Sequence, residues 1–205
     1  MANTFAPFGF SQRSGTGSSP TYEQIKTLID YNTAAIYQGD PVFRLSDGTI
    51  AGNTTGPGPG TAILAGIFVG CDYVSVAQKR RVWGNYWPGS DVVTGGTANG
   101  YIINDPNAQF TVQVGNSTTT GVVAGNIGMN VQFAYGVQTN ASANGLSAAY
   151  IDIATVPATT NTLPFRLTGL VSDPPGANGT TVPGAYNWVT VAFNNVETKS
   201  LTAQN

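Results

Sequence analysis

Histidine is absent from this 205-residue chain. Its absence removes the commonest general base, the Ser–His and Cys–His nucleophile pairs, and imidazole metal ligands. Cysteine occurs once, as Cys71, so no intrachain disulfide can form. Beside the apolar run "ILAGIFVG", and with no imidazole to activate it, Cys71 reads as a small buried hydrophobe rather than a reactive thiol. Charge is scarce. Asp, Glu, Lys and Arg make up 9% of the chain, against roughly 25% in ordinary soluble domains. Net charge is −2 and the pI is about 4.8, whereas nucleic-acid-binding domains carry a basic excess. Long hydrophobic runs are missing too: none approaches the ~20 residues that cross a bilayer. The start, "MANTFAPFGF", has neither the basic n-region nor the apolar h-region of a secretory signal. Neither a nucleic-acid nor a membrane partner is expected. The four Asn-x-Ser/Thr triplets, at Asn53, Asn116, Asn140 and Asn178, are then chance products of a chain rich in Asn and Thr.

The usual constellations of catalysis are not legible. The ten acidic residues are scattered, and four of the eight Asp residues, Asp40, Asp47, Asp105 and Asp173, sit beside Gly or Pro, where Asp forms turns. None builds a D-x-D-x-D-G calcium loop or a closely spaced acid/base pair. "GPGPGTAILAG" is glycine-rich but fits neither phosphate-binding spacing, and its prolines remove the N–H donors that a phosphate nest needs. No G-x-S-x-G elbow occurs. The chain is expected to be neither an enzyme nor a cofactor binder.

What is present is short apolar runs between turn residues, with 26 Gly and 12 Pro to punctuate them. The runs 33–37, 41–45, 61–70, 72–76, 100–104, 108–114, 129–137, 149–156, 164–171 and 187–193 read as strands. "QFTVQV" and "NWVTVAF" alternate with period two, as half-buried strands do. The connections 46–60, 88–100, 115–126, 138–148 and 172–185 read as long loops. Many short strands with such loops predict an all-β fold, a single jelly-roll, β-sandwich or barrel-like domain over residues 21–205.

Within it, "TYEQIKTLIDY" (21–31) suits two readings. Thr21 and Gln24 would make a helical capping box, with Tyr22, Ile25, Leu28 and Ile29 on one helical face. Ile25, Thr27, Ile29 and Tyr31 also alternate as a strand. Residues 1–20 differ in texture. Phe5, Phe8 and Phe10 stand among Gly, Pro and Ser with no period, followed by Arg13. They suggest an extended arm that docks on another chain or folds back over its own core.

The stretch "KRRVWGNYWPG", 79–89, concentrates three of the eight basic residues and two of the three Trp. Basic and aromatic residues interleaved are the elementary recipe for nucleic-acid binding. Three cations neutralise only a few phosphates, so a rim-and-packing reading is preferred. Trp83, Tyr86 and Trp87 pack in a core or under a partner; Lys79, Arg80 and Arg81 form an exposed edge. On this division, replacing the basic triplet leaves folding intact and Trp87→Ala damages it.

Eight segments in order, "PFGF", "AAIYQGDPV", "AGIFVGCDYV", "NYWPGSDV", "YIINDPNAQFTVQV", "NIGMNVQF", "LPFRLTGLV" and "NWVTVAFNN", resemble the head-decoration or cement proteins of tailed bacteriophages. The resemblance implies an all-β, jelly-roll or barrel-like virion protein assembled in the host cytoplasm. It would bind the outer capsid surface, cement neighbouring major capsid subunits, and act as a dimer or trimer. It tilts 21–31 toward strand. Phe5, Phe8, Phe10, Arg13, Lys79, Arg80 and Arg81 are the candidate capsid or subunit contacts, although the basic triplet is not part of the matching pattern. The competing expectation is a receptor- or carbohydrate-binding virion domain whose Trp83, Tyr86 and Trp87 stack on sugars.

Overall fold

The computed structural model describes residues 3–16, 23–52, 63–137, 144–154, 157–171 and 184–199. Among them the first strands are β1 (Ser11–Ser14), β2 (Ile25–Leu28), β3 (Ile36–Tyr37), β4 (Pro41–Arg44) and β5 (Ile50–Ala51). Next come β6 (Gly66–Val74), β7 (Arg81–Gly84), β8 (Tyr86–Trp87), β9 (Asn99–Ile103) and β10 (Gln109–Gly115). A 3-10 turn, Ala124–Asn126, precedes β11 (Asn130–Tyr135), β12 (Ala149–Asp152), β13 (Phe165–Leu170) and β14 (Trp188–Phe193). The fold is all-β, as the run pattern predicts.

Five strands close into a barrel in the order β10-β12-β11-β13-β14, with β14 returning to β10. Only the β10–β12 pairing in this ring is parallel. Period-two alternation explains the closure. Phe110, Val112 and Val114 of β10, Val131 and Phe133 of β11, Phe165 and Leu167 of β13, and Val189, Val191 and Phe193 of β14 all point inward and are buried. Each such burial contributes roughly 1.5–3 kcal/mol, and closure leaves no free edge.

A second sheet has the order β2-β9-β6-β4-β5, with β7 on the far edge of β6. Its inner face buries Ile29, Ile50, Phe68, Cys71, Tyr73 and Ile102 around Trp87. β3 and β8 form a two-stranded ribbon that brings Trp87 into this core. The two cores are joined. Phe43 of β4 and Ile67 of β6 enter the barrel core, and Arg44 makes a two-pronged ion pair with Glu197 at 2.6 and 2.7 Å. Asp40, before β4, accepts from Ser147 Oγ at 2.5 Å and from Tyr37 N–H at 2.8 Å.

Within the segment 21–31 the described regular element is a strand, not a helix. Ile25–Leu28 pairs with β9, while Thr21 and Tyr22 lie outside the described residues. Runs 61–70 and 72–76, expected as two strands, contribute one, because Gly70 and Cys71 continue the ladder with β9 instead of turning it. Four strands were not foreseen: β1, β5, β7 and β8 are too short or too polar to show a period. Much of the predicted loops 46–60, 138–148 and 172–185, and Asn53, Asn140 and Asn178, also fall outside the described residues.

Of the two readings of the N-terminal segment, the structure takes the second. Residues 3–16 lie on the chain's own barrel, with β1 paired to β10. Phe10 is 4% exposed, stacks on Phe165 at 4.5 Å and meets Phe110 and Phe133 edge-on. It is a core residue, which removes it from the candidate partner contacts. Gly9 makes this entry possible. Its φ is +76°, and a Cβ there would lie 2.5 Å from the Ser147 side chain.

Candidate functional site

The outer face of the second sheet presents the chain's most exposed tryptophan. Leu28, Asn99, Asp72 and Trp83 stand in register across β2, β9, β6 and β7, so their side chains share one face. Tyr101 and Lys26 form the neighbouring row, and Arg81 lies two residues before Trp83 on β7. Alternation sends Cys71, Tyr73 and Ile102 to the opposite, buried face.

Asp72 is the keystone of the outer face. It is 3% exposed, yet it lies under an open surface. Tyr101 Oη donates to its Oδ1 at 3.0 Å, Asn99 Nδ2 donates to its Oδ2 at 3.2 Å, and the Arg81 guanidinium Nε donates to Oδ2 in an ion pair. Burial pushes the carboxyl pKa up, but these three donors and the guanidinium charge outweigh it and hold it below its usual value. The ionised carboxylate therefore fixes Tyr101 and Arg81 in place.

Trp83 completes the surface. Its ring lies 4.8 Å from that of Tyr101 at an interplanar angle of 22°, and 70% of the residue is exposed. Leu28, in the same row, is half exposed. The result is a rigid platform of Trp, Tyr and Arg, the residue types that dominate binding energy at protein interfaces. Hydrogen bonds to Asp72 hold Tyr101 and Arg81, and Trp83 is held by stacking on Tyr101, which lowers the ordering cost of any contact made there.

The basic triplet divides. Arg81 belongs to the platform. Lys79 and Arg80 lie in the turn between β6 and β7, with Lys79 in the left-handed region at φ +53°. Asp91 holds that turn, accepting from Ser75 Oγ at 2.5 Å and Ala77 N–H at 2.9 Å. Arg80 Nε and Nη2 both donate to Gln78 Oε1. Lys26, Lys79, Arg80 and Arg81 are half of the chain's eight basic residues. Arg81 is paired with Asp72, and the turn that carries Lys79 and Arg80 also carries the Asp91 carboxylate.

The other candidates lie elsewhere. Phe5 packs on Tyr150 and Tyr186, Phe8 packs on Trp188 at 5.0 Å, and exposed Arg13 donates to Thr190 Oγ1 at 3.1 Å. These three sit on the barrel, apart from the platform's strands. Trp87 is fully buried, edge-on to Tyr73 at 5.5 Å, and Tyr86 stacks on Tyr37 at 5.8 Å. Three stacking aromatics on one surface, the basis of the sugar-platform expectation for 83–87, are therefore not formed.

Sequence reasoning did not pick out Asp72, Tyr101, Leu28 or Lys26. One signal was available: Asp72 sits inside an apolar run with no Gly or Pro beside it, unlike the turn-forming aspartates. On a strand such a carboxylate either faces solvent or is buried with partners, and Asp72 is the buried case. The other described aspartates serve structure. Asp105 accepts from Thr16 and Asn107, and Asp152 accepts from Asn116, Gln132 and Ala154. Among the described residues no three His, Cys, Asp or Glu are grouped to hold a metal ion, and no helix is long and apolar enough to cross a membrane.

No family model matches this chain, and no curated protein or solved structure matches it.

Proposed function

We propose that the chain is a structural protein of a tailed-phage particle that binds the outer surface of the capsid and cements neighbouring capsid subunits. The observation that carries this reading is the Trp83–Tyr101–Arg81 platform, an exposed aromatic–cation surface locked from below by Asp72. The ordered resemblance of eight segments to phage head-decoration proteins supports the same reading. An acidic patch on the major capsid protein would complement Lys79, Arg80 and Arg81, and such charge pairing favours encounter and register over raw affinity.

A cementing role needs more than one attachment per assembly. A standard contact covers about 800 Å² per partner. Assembly into a dimer or trimer turns later attachments into intramolecular ones and raises avidity. Occupied sites then stabilise the assembled shell over its parts by mass action.

The test uses shells of the encoding phage assembled without this chain. Purified wild-type protein is expected to sediment with them and to raise their melting temperature. Trp83→Ala is expected to weaken binding at least tenfold while keeping its own melting temperature. Undiminished binding by Trp83→Ala would remove the platform from the account, and failure of wild type to bind shells would overturn the cementing role.

A further inference from the structure

A second surface, on the barrel and built from different residues, has the chemistry of a sugar site. Phe5, Tyr150 and Tyr186 line a cleft of about 450 Å³ together with Asn116 and the loop Ser117–Thr119. The Phe5 ring lies 5.1 Å from Tyr150, nearly perpendicular to it, and 5.2 Å from Tyr186 at 44°. Every other lining side chain is an amide or a hydroxyl, and none carries a charge.

The cleft is held open by backbone arrangements that cost stability. Asn116 and Tyr186 have φ of +66° and +61°, and they are two of the three non-glycine residues in the left-handed region among those described. A tyrosine there is a genuine outlier, and such outliers concentrate where binding demands a fixed geometry. Both are held by neighbours. Asn116 Nδ2 donates to Asp152 Oδ1 at 2.9 Å, and Gln113 Nε2 donates to the Tyr186 carbonyl at 3.1 Å. The same Gln113 amide pins the N-terminal segment, accepting from Ala6 N–H and donating to the Thr4 carbonyl at 2.9 Å, which fixes Phe5 over the cleft. Gly115 forms the close approach beneath the rings. A Cβ there would lie 2.4 Å from Tyr150 and 2.6 Å from Phe5.

We infer that this cleft binds a neutral glycan, with the aromatic lining of Phe5, Tyr150 and Tyr186 meeting the sugar's C–H groups and Asn116, Ser117, Thr118 and Thr119 hydrogen-bonding its hydroxyls. Pyranose rings offer an apolar face and a rim of hydroxyls, and the lining offers the complement of each. An uncharged lining supplies no partner for the phosphate, sulfate or carboxylate of an acidic ligand. The site adds a glycan contact to a shell-bound protein and does not rest on the shell-binding reading, because it is tested on the isolated chain.

The experiment is a glycan array carrying neutral, sialylated and sulfated oligosaccharides, probed with the full chain. The strongest neutral hit is then titrated by NMR with the tyrosine ring signals assigned. Binding of neutral glycans above acidic ones is expected, with shifts at Tyr150 and Tyr186. Tyr186→Gly separates binding from folding, since it removes the ring and relieves the left-handed strain. It is expected to keep or raise the melting temperature and to lose at least tenfold in affinity. Tyr150→Ser is expected to lose affinity similarly. No neutral hit above background, a preference for acidic glycans, or full affinity in both variants would overturn the inference.

Discussion

Trp83 and Trp87 stand four residues apart in the chain, yet Trp83 is 70% exposed and Trp87 is wholly buried. Between them Gly84 ends β7 and Asn85 leads into β8, so the chain leaves the edge of the second sheet and enters its core. One short aromatic stretch thus supplies both an exposed surface residue and a core residue. Trp87→Ala is expected to lower unfolding free energy by about 3–5 kcal/mol. Trp83→Ala is expected to change it by under about 1 kcal/mol. Urea denaturation of the two variants checks the contrast, and equal losses would contradict the assignment.

Arg81 is expected to part company with Lys79 and Arg80. The sequence reading treats all three as a dispensable edge, but Arg81 compensates a buried carboxylate. Breaking a fully buried pair costs roughly 3–5 kcal/mol, and the half-exposed guanidinium reduces that toward about 1–2 kcal/mol. Arg81→Ala should lose this much, whereas the Lys79→Ala/Arg80→Ala double variant should lose almost nothing. Because the Asp72 pKa is depressed in the fold, its contribution is present above the ordinary carboxylate value of 3.8 and is lost as pH falls through the lower folded value. Chemical denaturation at neutral pH compares the variants, and acid titration of wild type locates the loss.

Asp40 works in the opposite direction. Burial raises its pKa from 3.8 to about 6, against the hydrogen bonds from Ser147 and Tyr37 N–H. The folded state therefore holds a proton that the unfolded chain has released between these values. Stability from this group is fully present below 3.8, declines as pH rises to about 6, and is level above. The displacement corresponds to about 3 kcal/mol, at roughly 1.36 kcal/mol per pH unit. Urea midpoints from pH 4 to pH 7 should show wild-type stability falling relative to Asp40→Asn by that order. A constant difference would contradict it.

The N-terminal segment should prove structural as well as adhesive. Phe10→Ala removes a ring stacked in the barrel core and is expected to cost about 3–5 kcal/mol. Phe8→Ala, on the half-exposed contact with Trp188, should cost under about 2 kcal/mol. Deleting residues 1–12 therefore tests the fold before it tests any partner, and thermal unfolding of the two point variants separates the roles.

The barrel was legible because each of its strands repeats one pattern. "QFTVQV" and "NWVTVAF" alternate without interruption, and alternation is the physical condition for a half-buried strand. β7 and β8 escaped because two to four residues carry no period, and Arg81 disguised a strand as a charged rim. Phe10 escaped for another reason. Its burial is decided by Phe110, Phe133 and Phe165, all about a hundred or more positions away. The platform was hidden in the same way, since Asp72, Asn99, Tyr101 and Arg81 come from three strands that only pairing brings together. Local sequence carries the strands; register carries the site.

The most direct measurement is a near-atomic map of the intact phage particle to which the chain is proposed to belong. The account predicts this chain on the outer shell, with Trp83, Tyr101 and Arg81 covered by an acidic patch of the major capsid protein. A particle without the chain on its shell, or one in which the chain is present with that platform facing solvent, would contradict it.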